Sequence, residues 1–147
     1  MTARPDASRV LVALRVPATP ERAFATFTER IDDWWVHNGL FQFTRGRTGT
    51  MVFEIGLSGR LLVRYDDGAE FVIGAVRAWD PPHGFVIGWR QAGFTPDQDT
   101  ELHVSFAAVQ AHPPSTRVTV EHFGWDRIPP ESAARHGFPL PVFSLRF

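Results

Sequence analysis

His122 stands in the run "TRVTVEHFGW" (116–125), where residue types alternate along the chain. Val118, Val120 and His122 share one side of that alternation, and Thr119 and Glu121 share the other. Thr119 and Glu121 suit solvent, so the imidazole is expected to face inward with the two valines. An imidazole titrates near neutral pH and both donates and accepts hydrogen bonds. Two roles fit it here: a polar anchor for a bound molecule, or a core histidine satisfied by backbone or side chain.

Other chemistry finds little support. The six histidines (His37, His83, His103, His112, His122, His136) include no i, i+4 pair and no His-Glu-x-x-His pattern. His83 and His112 adjoin Pro-containing turns and are expected at the surface. Ser58, Ser105, Ser115 and Ser132 lack a Gly-x-Ser-x-Gly context. There is no Cys, which excludes disulfides, thiolate catalysis and Cys-based metal sites. "GRTGT" is a lone short glycine match and reads as a strand-entry turn. Asp32 and Asp33 read as solvated helix residues, and Arg60 and Arg64 are expected to face solvent. No catalytic residue, metal or cofactor is assigned.

The stretch "IDDWWVHNG" (31–39) places Trp34 and Trp35 side by side. Adjacent residues point in different directions, so one wall does not easily bury both rings. Trp35 is expected to contribute to a cavity or its mouth, and Trp34 to pack; the alternative is core and rim packing for both.

The elements that position these residues follow from pattern. "SRVLVALRV" (8–16) reads as a strand ended by Pro17. A helix follows, with Thr19 as N-cap, Pro20 at its first position and Glu21 in its first turn. Phe24, Phe27 and Ile31 make one apolar stripe on it, and Gly39 ends the segment. The period then changes to two. Strands are expected over 49–56, 60–68, 69–79, 84–91, 100–110 and 116–125, joined by "LSG", "DDG", "DPPHG", "TPDQD" and "HPPS" turns. Short successive loops predict an antiparallel meander that curls on itself and needs a cover. "ESAARHG" (131–137) reads as a short helical turn.

The chain has 147 residues, which fits one domain over 1–147. It is 44% hydrophobic with a formal net charge of −1, and its 15 basic residues form no run, so no nucleic-acid partner is expected. Thirteen Phe against one Tyr suit apolar packing or an apolar cavity. The polar start "MTARPDAS" reads as no signal peptide, and no apolar stretch approaches the ~20 residues of a membrane span. A cytoplasmic location and no membrane partner are expected.

"VPATPERAFATFTERIDDWW", "LSGRLLVRYDDGAEF", "AVRAWDPPHGFVIGWR" and "VTVEHFGWDRI" resemble the START-like helix-grip (SRPBCC) superfamily. Within it they resemble the bacterial branch similar to the C-terminal domain of activators of the heat-shock-protein-90 ATPase. The resemblance runs from about Arg9 to Gly137. "WDPP" with Trp89, and "EHFGW", are its most specific parts; both are structural marks. It implies an α+β fold: two short N-terminal helices, and about seven antiparallel strands curved round a long C-terminal helix with an apolar cavity between. Two departures stand out. Ten residues follow Gly137, two of them Pro, so a helix begun at Pro141 would be short or the chain truncated. Many relatives carry an acid where Val63 stands.

Within that fold, alternation assigns an inner wall of Met51, Phe53, Ile55, Leu61, Val63, Phe85, Ile87, Trp89, Leu102, Val104, Phe106, Val118, Val120 and His122. The expected ligand contacts are Trp35, Phe53, Val63, Trp89, Val104, Phe106, Val120 and His122. The expected function is non-enzymatic binding of an apolar small molecule or lipid-like ligand. The alternatives are a protein–protein adaptor with a chaperone partner, and a cyclase- or hydrolase-like enzyme. An uncovered cavity or edge strand also invites a homodimer.

Overall fold

The Thr19 side chain accepts the Arg22 amide hydrogen at 3.2 Å, and Pro20 takes the first helical position, where a missing N–H costs nothing. Helix α1 (Pro20–Glu29) starts there and buries Ala23, Phe24, Phe27 and Thr28. Arg30 breaks helical geometry, and a single further turn, α2 (Ile31–Trp34), follows. The computed structural model describes residues 10–35, 49–90 and 100–124.

The period-two segments form strands β1 (Val10–Val16), β2 (Thr50–Phe53), β3 (Arg60–Arg64), β4 (Glu70–Asp80), β5 (Gly84–Trp89), β6 (Thr100–Ala111) and β7 (Pro114–Phe123). They make one antiparallel sheet in the order β1-β7-β6-β5-β4-β3-β2. The meander runs in sequence from β2 to β7, and β1 closes it by docking on β7. The sheet curls, and α1 packs across β6 and β7 while α2 packs on β2. This is the α+β helix-grip architecture. The Asp67–Gly68 hairpin forms as its residues direct: Gly68 takes φ 87°, and the Tyr65 amide donates to Ala69 O at 2.8 Å.

Core packing centres on Phe85 of β5. Its ring lies 5.2 Å from Phe53, 5.8 Å from each of Phe24, Phe27 and Trp79, and 6.4 Å from Phe106. The pairs with Phe24 and Phe53 are edge-to-face, the arrangement the aromatic quadrupole favours, and the other three are tilted.

Two expectations are corrected. Ile55 is 53% exposed and lines no inner wall, because β2 ends at Phe53 and the chain turns away through Gly56 at φ 96° and Ser58 at φ 75°. Trp34 and Trp35 are both buried, at 1% and 4% exposure. The helix ends between them: Trp34 is the last residue of α2, whereas Trp35 is extended, so the two rings reach the same core from different backbone directions. The turn at 131–137, the segment after Pro141, the turn at 95–99 and Gly39 lie outside the described residues. No helix among the described residues is long and apolar enough to cross a membrane.

Phe85→Ala is expected to destabilise the fold by about 3–5 kcal/mol, the usual cost of emptying a buried aromatic site. Urea unfolding measures it, and a loss below ~1 kcal/mol contradicts the central place of this ring.

Candidate functional site

The alternation that built β5, β6 and β7 sends one residue in two to the concave face. Phe85, Ile87 and Trp89 point there from β5, Leu102, Val104 and Phe106 from β6, and Val118, Val120 and His122 from β7; all are buried. Register sets them side by side: Phe85 opposes Val104, which opposes Val120, which opposes Val12. His122 lies between Leu102 of β6 and Val10 of β1.

The eight expected contact residues are all buried, and the five with rings fall into two groups. Phe53 and Phe106 belong to the aromatic cluster around Phe85, with Phe106 5.2 Å from Phe24. Trp35, Trp89 and His122 form the other group. Trp35 lies 5.7 Å from Trp89, and Trp89 meets His122 at 5.8 Å with the rings 78° apart. Val104 and Val120 are cross-strand partners. Val63, 2% exposed, pairs with Met51 and Phe71, so its position contributes methyls where an acid would contribute charge.

His122 is fully buried, and its Nε2 lies 2.8 Å from Thr100 Oγ1. The Thr100 hydroxyl also donates to the Trp89 carbonyl at 2.7 Å, and Thr100 is 1% exposed. Sequence reasoning missed Thr100. Its parity was legible, since Thr100, Leu102, Val104 and Phe106 alternate inward together. A threonine alone, however, is equally at home on either face of a strand. The chemistry available here is that of a desolvated imidazole held by a hydroxyl inside an aromatic wall. Asp32 and Asp33 are no dyad: Asp32 Oδ1 accepts the Met51 amide at 2.8 Å, tying α2 to β2, and Asp33 pairs with Arg30 at 2.8 Å.

The convex face differs. Gly84, Val86 and Gly88 give β5 a low outward profile, and beside it lies an open groove of about 340 Å³ with Asp80, His83, His103, Ser105 and Glu121 on its walls. Arg77 of β4 reaches across Gly88, where a Cβ would come within 2.9 Å of its guanidinium. Its Nη1 donates to Glu101 Oε2 at 2.7 Å, and His103 Nε2 donates to Glu101 Oε1 at 2.7 Å. Desolvation alone would raise the Glu101 pKa, but the hydrogen bonds from Arg77 and His103 outweigh it and hold the carboxyl below its ordinary value. At the sheet's other end the Arg60 guanidinium likewise lowers Glu54. Among the described residues no group of three or more His, Asp or Glu is placed to hold a metal ion.

A curled seven-stranded antiparallel sheet with helices over an apolar concave face defines a START-like helix-grip protein. The chain belongs to the family described as Activator of Hsp90 ATPase homolog 1-like protein, whose model matches residues 17–140. Among solved structures it is similar to an anthrahydroquino-γ-pyrone synthase, at 28% identity and TM-score 0.63, covering 97% of this chain and 98% of that one. It is similar in fold to an HSP90 activator from Plasmodium falciparum, at 18% identity and TM-score 0.57, over 91% and 83% of the two chains. It is also similar in fold to the Aha1 dimer from Colwellia psychrerythraea, at 18% identity and TM-score 0.51, over 80% and 76%. No curated protein matches the chain.

Glu101→Gln is expected to lower stability at neutral pH by about 0.2–1 kcal/mol, since the pair is partly solvated. Because the folded pKa lies below the unfolded one, the carboxylate's contribution is full above the unfolded value of about 4.3 and is lost as pH falls through the folded value. Urea midpoints of the two proteins should therefore differ near neutrality and converge in acid; a constant gap contradicts the assignment.

Proposed function

We propose that this protein binds an apolar, aromatic small molecule against the concave face of its sheet, with Trp35, Trp89, Val104 and Val120 as its apolar contacts and His122 as its polar anchor. Phe53, Val63 and Phe106 extend the apolar surface. The observation that carries the reading is the imidazole of His122, fully buried between an aromatic wall and the Thr100 hydroxyl. Few polar groups set among apolar ones are what a small-molecule site uses to orient its ligand. The likeness to an anthrahydroquino-γ-pyrone synthase over 97% of this chain supports an aromatic ligand. The reading treats the chain as a single cytoplasmic domain that binds without turnover. Turnover lost on His122→Ala would instead make it an enzyme of the cyclase kind.

A second reading has support from the family description: a protein–protein adaptor for a heat-shock-protein-90 chaperone, working as a monomer or homodimer. The activator neighbours share under a fifth of their residues with this chain, so their likeness is one of fold. Stimulation of a chaperone ATPase by the purified protein would favour it.

The test is calorimetric titration with 2-naphthol, beside native mass spectrometry for any co-purified molecule. His122→Ala should weaken 2-naphthol binding about five-fold, the worth of one hydrogen bond of ~1 kcal/mol. It should also lower stability by about 1–3 kcal/mol, because Thr100 loses a buried partner. A variant that stays folded and binds as tightly as the parent ends the anchoring role.

A further inference from the structure

Arg15 and Arg117 stand far apart in the sequence and directly opposite each other in the sheet, as cross-strand partners of β1 and β7. Both are exposed on the convex face, since the residue after each, Val16 and Val118, is fully buried on the other side. Side chains so paired start roughly 5 Å apart, and like charges directly opposite destabilise a sheet. A carboxylate between them would offset this, and among the described residues none is there. Arg15 Nε donates to Ser115 Oγ at 3.0 Å and its Nη2 to Gln110 Oε1 at 3.2 Å, both neutral oxygens. The arginine–carboxylate pairs of the described residues engage Arg30, Arg60, Arg64 and Arg77 instead. The next acid along β7 is Glu121, two outward positions further on and roughly 13 Å away at the rise of a strand. The register thus holds two guanidiniums side by side without a counter-charge.

We infer that this pair is the anion end of a binding site on the convex face, and that the ligand is a phosphomonoester of a small hydroxyl-bearing molecule. A phosphomonoester carries nearly two negative charges at neutral pH, so it matches two guanidiniums where a carboxylate matches one. Arg15 spends one edge of its fork on Ser115 and Gln110, which fixes the group and leaves its Nη1 protons for a ligand. The ground beside the pair is low: Ala107 of β6 partners Arg117, and Ala13 of β1 partners Thr119. Thr119 and Ser105 partner each other one outward step along and add two hydroxyls to the same face. Ser105 also lines the open convex groove of about 340 Å³, where Gly84 and Val86 keep β5 low. A phosphate between the arginines therefore leaves the rest of the molecule to lie past Ser105 into that groove. There Asp80, His83 and His103 offer acceptors and donors for hydroxyls, while the Asp80 carboxylate repels a second anion. The polar residues of this site all lie on the convex face, and it does not depend on the reading proposed above for the concave one.

Calorimetry on the full chain at constant ionic strength tests the inference, with glucose 6-phosphate as the probe, since its hydrophilic body does not suit an apolar face. The parent should bind glucose 6-phosphate at least about five-fold more tightly than gluconate, a hydroxylated anion of single charge, and than inorganic phosphate, which cannot reach the groove. Arg117→Gln should weaken glucose 6-phosphate at least about five-fold, and Arg117→Lys should recover only part of the loss, because charge returns without the fork. Arg117 is exposed, so neither variant threatens the fold. In low salt without ligand, Arg117→Gln should raise the urea midpoint, because the repulsion with Arg15 is gone. An unchanged or lowered midpoint overturns the uncompensated pair. A variant that binds as tightly as the parent overturns the site, gluconate binding equally overturns the dianion, and inorganic phosphate binding equally overturns the ester. No binding of any probe overturns the whole inference and leaves the concave-face reading standing.

Discussion

The concave face of a curled sheet is a continuous apolar surface, and the fold exists only while water is kept off it. Each fully buried Phe or Leu contributes roughly 1.5–3 kcal/mol through that exclusion. The cover begins with α1, whose Phe24 and Phe27 reach the rings of Phe85 and Phe106. Local chemistry serves the same constraint. Thr19 and Pro20 start α1 where its apolar stripe meets β6 and β7, and Asp32 fastens α2 to the edge strand through the Met51 amide. The preference for Phe over Tyr has a physical reason here: rings packed edge to face in a dry wall need no partner for a hydroxyl.

Polar groups on that face carry a cost that must be offset. A buried hydroxyl without a partner costs roughly 1–3 kcal/mol. Thr28 and Thr116 settle theirs locally, donating to the Phe24 carbonyl at 2.8 Å and to the Ala18 carbonyl at 2.7 Å. Thr100 does the same with the Trp89 carbonyl and in addition engages an imidazole. That extra contact separates a threonine that closes a backbone gap from one that orients another side chain.

Side-chain alternation made most of this face legible from the sequence. Val118, Val120 and His122 are buried while Thr119 and Glu121 are not, and the fold class, strand order and capped helix follow from the same patterns. The failures have separate physical causes. Ile55 continues the parity of Met51 and Phe53, but parity ends where pairing ends, and a positive-φ turn carries it outward. Leu62 is fully buried between buried neighbours, next to a register shift that alternation does not anticipate. The tryptophan pair defied the rule that neighbours diverge because the helix stops between them. Thr100 was hidden because its importance lies in two distances, which no pattern of residue types encodes.

The position of His122 is therefore a property of register. β7 is flanked by β1 and β6, and His122 aligns with Val10 on one side and Leu102 on the other. A slip of one residue would send the imidazole to solvent and drive Glu121 into the apolar wall, because side-chain period in a strand is two. The irregularity that β6 and β7 do contain sits between Ala108 and Gln110, toward the far end from the imidazole, so the pairing from Leu102 to Phe106 stays regular. At that far end Arg15 of β1 donates to Ser115 Oγ at 3.0 Å and to Gln110 Oε1 at 3.2 Å, binding all three strands across the irregularity. On the outer face Arg77, Glu101 and His103 join β4 to β6 across the glycine of β5. Partly exposed pairs of this kind add little to total stability. Their weight falls on which residues face which way: a slip of β7 would break the Arg15–Ser115 bond and bury the Glu121 carboxylate.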